Sequence, residues 1–182
     1  MRLLRAVDGS VLWLKDNEAT AAQNLRCEAE RRGVSAERLI FAPWASSMAE
    51  HLARHRQADL FLDTLPYNAH TTTIDALWAG LPVVTCLGAT FAGRVAASVL
   101  RSVGLEELIA ASLQDYEALA LSLARDPARL ASLKDKLERN RDIEPLFDTK
   151  RFARHMEAAY ESMWERSQRG EPPQAFAVDR IE

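Results

Sequence analysis

The chain reads as an α/β protein built on a Rossmann-like parallel sheet covered by helices. Two observations predict this. Short β-branched or apolar runs alternate with longer stretches of helical periodicity, the pattern of successive βαβ units. Gly33, Gly80 and Gly104 stand where those helices would end, a place that favours a residue tolerant of positive φ. Val11–Lys15 gives the first strand and Ala19–Arg32 the first helix. Leu39–Ala42 with Met48–Arg56, Leu60–Asp63 with Thr72–Ala79, and Pro82–Cys86 with Phe91–Val103 repeat the pairing. A short fifth strand is expected at Glu107–Ala110, followed by helices at Leu113–Arg125 and Pro127–Arg141. In the last helix, about Lys150–Ser167, Phe152, Met156, Tyr160, Met163 and Trp164 share one face. Core packing is the ordinary reading of such a stripe. From Gly170 the composition, with Glu171, Pro172 and Pro173, is that of a loose tail.

A chain of 182 residues with 48% hydrophobic side chains can bury the core of one ordinary domain. Its net charge of −3 and pI near 5.9 give no basic footprint, so neither nucleic acid nor an anionic membrane is an expected partner. The first residues lack the apolar stretch of a signal peptide and no later run approaches a membrane span, which leads to the expectation of a cytoplasmic protein. Cys27 and Cys86 lie far apart without metal-type spacing and read as buried or incidental thiols in a reducing compartment.

Residues 59–80 carry most of the functional information. After the apolar run Leu60–Leu62, Pro66 and Asn68 mark a turn, and a helix opens on His70, Thr71, Thr72 and Thr73 with Asp75 one turn in. The first N–H groups of a helix have no partner within it and its dipole favours negative charge, so this end suits a phosphate. Asp75 stands where a carboxylate would meet a sugar hydroxyl. A second reading is open: Thr72-x-x-Asp75 also matches a capping box, which closes a helix start without a ligand.

This segment closely resembles the nucleotide-sugar-binding half of the O-linked N-acetylglucosamine (O-GlcNAc) transferases, GT-B enzymes that glycosylate serine and threonine of proteins. Further landmarks follow in family order: Ser10-Val11-Leu12-Trp13-Leu14, Leu39-Ile40-Phe41-Ala42-Pro43, Gly88 through Ser98, Pro145-Leu146-Phe147-Asp148-Thr149 and Met163-Trp164-Glu165. The match covers roughly residues 3–168. It implies the C-terminal half of a GT-B fold over residues 1–168, without the first strand of the family domain, and a loose tail over 169–182. It also offers a second role for the last helix, which in GT-B enzymes crosses back to the other domain.

The resemblance assigns roles residue by residue. His70, Thr71 and Thr72 match groups that contact the donor diphosphate, with His70 stabilising the leaving group, and Asp75 matches the aspartate that binds the ribose. His51 and Arg54 match a histidine and an arginine that lie against the uracil, whose polar edge is read by backbone near Ala45. On spacing alone, a His and an Arg three apart, as His51 and Arg54 are, more often form a solvated helix face. The 43–54 loop departs from the pattern by one extra residue, and Ser46–Ser47 stands where a lysine often reaches the ribose. Ala89 replaces a common acidic residue and Gly93 a common serine. Arg94 fits either an anion contact or a structural ion pair.

The implied reaction is transfer of N-acetylglucosamine from UDP-N-acetylglucosamine to a protein hydroxyl, with inversion, no cofactor and no metal. Asp59 and Asp63, four apart, lack the clustered carboxylates of a magnesium–diphosphate site. The implied partners are the donor, a protein acceptor, and the N-terminal catalytic half and tetratricopeptide repeats of a longer parent. A phosphate-contacting lysine of the family would lie ahead of Met1, so the chain alone is expected to be inactive. Two alternatives stand beside this reading: a related fucosyltransferase using GDP-fucose, and a nucleotide-binding or interaction module without turnover.

Overall fold

Side-chain caps set where several helices begin. In the computed structural model, which describes residues 1–16, 18–179 and 181, helix α1 spans Arg2–Ala6, α2 Ala19–Arg31, α3 Met48–His55 and α4 Thr71–Trp78. Helices α5 (Val95–Ser102), α6 (Leu113–Arg125), α7 (Pro127–Ile143) and α8 (Thr149–Gln168) follow. Ser47 caps α3, Ser112 caps α6, Asp126 caps α7 with Pro127 in the first turn, and Asp148 caps α8, each side chain accepting a backbone N–H from the first turn. Gly33, Gly80 and Gly104 carry φ of 73°, 87° and 69° at helix ends, as expected from the sequence.

The strands are β1 (Leu12–Lys15), β2 (Leu39–Ala42), β3 (Phe61–Leu62), β4 (Val83–Cys86) and β5 (Ile109–Ala110). All pairings are parallel, and they form two ladders, β1–β2 and β3–β4–β5. The sequence predicts a single sheet. The ladders are separate because β1 and β3 each keep an edge with no partner strand among the described residues. All four residues of β4 are buried, as befits a parallel strand covered on both faces. Around it pack Leu77, Leu100, Val103, Leu105, Leu108, Leu123 and Leu137. A smaller cluster of Leu4, Ala29, Val34 and Leu39 underlies β1–β2.

Four expectations change. The short α1 lies ahead of the first predicted element, with Leu4 buried and Arg125 of α6 donating to the Ala6 carbonyl at 2.8 Å. β3 is two residues long, although the Asp63 N–H still bonds the Val84 carbonyl at 3.0 Å. The helix expected from Phe91 starts at Val95, because residues 91–94 close a turn in which the Arg94 N–H meets the Phe91 carbonyl at 3.0 Å. No residue of α8 is buried, so its Phe152, Tyr160, Met163 and Trp164 stripe is not core. Residues 171–179 form neither helix nor strand, yet Arg166 of α8 donates to the Pro172 carbonyl and to Gln174.

Candidate functional site

Loops after β3 and β4 and the helices that follow β2 and β3 converge at the carboxyl ends of the strands, the usual ligand edge of an open α/β sheet. The 63–70 loop hangs from Asp63, which is 7% exposed. Its Oδ1 accepts the N–H groups of Thr64 (2.8 Å) and Ala69 (2.6 Å), and its Oδ2 accepts the Thr85 hydroxyl of β4 (2.6 Å). Burial pushes the Asp63 carboxyl above the usual carboxylate range, and the bonds from Thr85, Ala69 and Thr64, with nearby His70, offset only part of that. The Tyr116 hydroxyl of α6 donates to the Asp63 carbonyl at 3.0 Å, and burial drives that phenol far above its ordinary pKa. Burial also raises the Cys86 thiol, leaving it an inert core group.

The 88–94 loop locks onto this one. The Asn68 N–H bonds the Ala92 carbonyl at 3.0 Å, and the Gly88 N–H bonds the Gly93 carbonyl at 2.7 Å. A Cβ on Gly93 would stand 3.0 Å from the Pro66 carbonyl oxygen and 3.2 Å from Gly88 Cα. The close approach of two loops accounts for glycine where the family resemblance led one to look for serine.

His70 is the N-cap of α4 and makes no side-chain capping bond. Its ring stacks on Tyr67 (centroids 4.8 Å apart, 16° between planes) and meets the edge of Phe91 at 6.3 Å. His70 Nε2 is buried without a hydrogen-bond partner among the described residues. The backbone N–H groups of Thr71 and Thr72 likewise find no acceptor among the described residues, and both side chains are exposed. Unsatisfied donors at a helix start, with exposed hydroxyls beside them, form a cradle for an anion.

The capping-box reading fails. Thr72 lies inside α4 rather than at its cap, and Asp75 turns to the neighbouring helix, where its Oδ2 sits 3.1 Å from Nε2 of His51. The box pattern is realised instead at Ser47–Glu50: Ser47 Oγ accepts the Glu50 N–H at 3.2 Å, and the Glu50 carboxylate returns to the Ser46 N–H and hydroxyl, both at 2.7 Å. Ser46 and Ser47 thus order the start of α3. The Arg54 side chain, one turn beyond His51, makes no hydrogen bond or ion pair among the described residues. Ala45 is half-buried in the loop between β2 and α3. Arg94 caps α5 through its backbone and is exposed. The structure therefore joins His51 to Asp75 and ties the His70 loop to the Gly88–Arg94 loop. Lys15, at the end of β1, lies 3.8 Å above the exposed Trp44 ring.

The sequence reading missed Asp63 as the anchor of the loop and Tyr67 as the stacking partner of His70. An aspartate at a strand end followed by Thr and a Pro-marked turn was the available signal, since such side chains bond the backbone just ahead. No group of three or more His, Cys, Asp or Glu able to hold a metal ion occurs among the described residues, and no described helix is long and apolar enough to cross a membrane.

Known proteins match this chain closely. The model of glycosyl transferase family 41 matches residues 1–156. The chain is 38% identical over 177 residues to the Arabidopsis thaliana protein named "Probable UDP-N-acetylglucosamine–peptide N-acetylglucosaminyltransferase SEC", covering 97% of this chain and 18% of that protein. It is 36% identical over 172 residues to the UDP-N-acetylglucosamine–peptide N-acetylglucosaminyltransferase of Caenorhabditis elegans, covering 94% of this chain and 15% of that one. Among solved structures, a lysine-to-methionine mutant of the O-GlcNAc transferase of Thermobaculum terrenum superposes with a TM-score of 0.81 at 36% identity, over 90% of this chain and 32% of that chain. The chain spans less than a fifth of the length of the two curated relatives. Parallel strands under helices, matched to the catalytic region of an O-GlcNAc transferase, are part of a GT-B fold. The chain belongs to glycosyl transferase family 41.

Proposed function

We propose that this chain is the donor-binding half of a protein O-GlcNAc transferase, holding UDP-N-acetylglucosamine for inverting, metal-independent transfer to serine and threonine hydroxyls. One observation carries the reading: the 3.1 Å contact between His51 and Asp75, from different βαβ units. Base and ribose of a nucleoside are joined by a single bond, so groups that hold them must stand within a few ångströms of each other. His51, with Arg54 and the Ala45 backbone, is then the base end, and Asp75 the ribose end. One turn back along α4, His70, Thr71 and Thr72 take the diphosphate. Asp75 Oδ1 makes no hydrogen bond among the described residues and remains to accept a ribose hydroxyl.

In the proposed reaction the acceptor oxygen bonds the anomeric carbon as the bond from that carbon to the diphosphate oxygen breaks. The electron pair leaves on UDP, and the hydroxyl proton passes to a base or water outside this chain. Charge grows on the leaving diphosphate, where the His70 ring and the free N–H groups of Thr71 and Thr72 stabilise the transition state more than the ground state. The names of the relatives supply the donor and the peptide acceptor.

Two further features support the half-enzyme reading. β1 and β3 each keep an edge without a partner strand among the described residues, and the first strand of the family domain would pair there. Inserted there, it turns the orders β2-β1 and β3-β4-β5 into the doubly wound order 3-2-1-4-5-6. The exposed Phe152, Tyr160, Met163 and Trp164 of α8 supply an apolar face for the N-terminal half. Tetratricopeptide repeats and a cytoplasmic location belong to the same proposed parent.

Calorimetric titration of the chain with UDP, UDP-N-acetylglucosamine, GDP and GDP-fucose tests the reading. The uridine compounds bind, weakly, since the family's phosphate-contacting lysine has no counterpart among residues 1–182. A charged phosphate contact is worth about 1.5–3 kcal/mol, or roughly tenfold to a hundredfold in affinity. Preference for GDP moves the donor to fucose. Binding of no nucleotide at millimolar concentration favours the interaction module, and transfer to peptide by the purified chain contradicts the half-enzyme.

A further inference from the structure

Buried carboxylates are costly to keep charged, and one that stays in a core needs donors to hold it. Asp63 has three: the N–H groups of Thr64 and Ala69 on Oδ1 and the Thr85 hydroxyl on Oδ2, at 2.8, 2.6 and 2.6 Å. Thr85 is fully buried in β4, so the carboxylate is fixed to the central strand. The backbone of Asp63 is fixed as well, its N–H on the Val84 carbonyl and its carbonyl under the Tyr116 hydroxyl, both at 3.0 Å. From this anchor the chain leaves as a turn and returns at Ala69, the residue before the N-cap of α4. The Ala69 carbonyl then accepts the Thr73 hydroxyl at 2.8 Å, carrying the constraint into the helix. Other bonds, Thr64 Oγ1 to the Tyr67 carbonyl and Asn68 Nδ2 to the Thr64 carbonyl, close the turn on itself. The Asp63 carboxylate is the link that ties its far end to β4.

We infer that Asp63 is the positioning residue of this site: through Ala69 it sets where His70 and the first N–H groups of α4 stand. It touches no ligand in this scheme and acts through the backbone. Asparagine in its place can keep the geometry. Its carbonyl oxygen still accepts both N–H groups, and its amide donates to the Thr85 oxygen, whose hydroxyl rotates to accept. Alanine removes the link. Valine at position 85 removes only the side-chain bond to β4, leaving the Thr64 and Ala69 N–H bonds to Oδ1, the second of which holds Ala69.

The test uses the full chain as Asp63→Asn, Asp63→Ala and Thr85→Val, read by amide NMR without ligand and by UDP titration, with melting temperature as the folding control. The inference predicts that the Ala69–Thr72 amides keep their positions in Asp63→Asn and Thr85→Val, and shift and broaden in Asp63→Ala. It predicts UDP affinity within about threefold of wild type in the first two and at least about tenfold weaker in Asp63→Ala. Thr85→Val, whose melting falls without loss of affinity, separates positioning from stability. If Asp63→Ala is unfolded, Asp63→Asn and Thr85→Val still decide: Ala69–Thr72 amides that move in Asp63→Asn overturn the inference, and so does an affinity loss in Thr85→Val. Unmoved amides in a folded Asp63→Ala also overturn it. The binding arm rests on the donor-site reading, whereas the amide arm needs no ligand. A wild-type chain that binds no nucleotide therefore refutes that reading and leaves this inference to the amides.

Discussion

Replacing Asp75 by asparagine separates a ligand contact from a structural pair at the residue on which the donor-site reading turns. Among the described residues its carboxylate meets only His51, at 3.1 Å, with side chains 18% and 30% exposed. Asparagine still offers an oxygen to the His51 N–H, and the pair is partly solvated, so stability should fall by only about 0.5–1 kcal/mol. For a chain of this size that lowers Tm by about 1–4 °C. A ribose-facing carboxylate loses more, because it gives up charge-assisted bonds of about 1.5–3 kcal/mol, or roughly tenfold to a hundredfold in UDP affinity. Scanning calorimetry and isothermal titration of Asp75→Asn read the two effects separately. Unchanged UDP affinity beside a lowered Tm would refute the ribose role and leave Asp75 as a clamp between α3 and α4.

Three other outcomes follow from the same geometry. His70→Ala in a full-length parent should lower kcat more than donor affinity, because its partner is the charge that develops on the leaving diphosphate; steady-state kinetics showing only a KM change would contradict this. Gly93→Ala places a Cβ 3.0 Å from the Pro66 carbonyl oxygen and should cost about 1–3 kcal/mol in urea unfolding while weakening UDP binding; an unchanged midpoint would show that the loops give way freely. Asp63, whose carboxyl lies above the ordinary value of 3.8, binds its proton more tightly folded than unfolded. Its contribution to stability is therefore complete below that value and is lost as pH rises through the elevated folded one. The Tm of wild type minus that of Asp63→Asn should fall across that acidic window, and a difference that rises with pH would contradict the sign.

The strands and most helices were readable because their signals are local. β4 is a β-branched and apolar run between Pro82 and Gly88, and the positive φ at Gly33, Gly80 and Gly104 follows from residue type. What failed needed three dimensions. Five residues of α1 are too few for periodicity to show, and the helix is held by Leu4 in the core and by Arg125 from α6. Ser47-x-x-Glu50 and Thr72-x-x-Asp75 carry the same pattern, yet only the first caps a helix, because His51 stands within reach of Asp75. The α8 stripe matches a core face in sequence, and nothing local shows that it stays exposed among the described residues. Of the candidate site, His51, Arg54, His70, Thr71, Thr72 and Asp75 came from the family resemblance together with helix-start chemistry. Asp63 and Tyr67 did not, since their work lies in contacts with Ala69, Thr85 and His70 that only the folded loop creates.

The central claim is that the two helix starts and the loop between them hold one nucleoside diphosphate. Titrating UDP into the isotopically labelled chain and mapping amide shifts tests it most directly. The account predicts saturable shifts that concentrate on Ala45, His51, Arg54 and Asp75 for the nucleoside and on His70, Thr71 and Thr72 for the diphosphate. UMP should move the first group and spare most of the second. Shifts confined to other faces, or none at millimolar UDP, would contradict it.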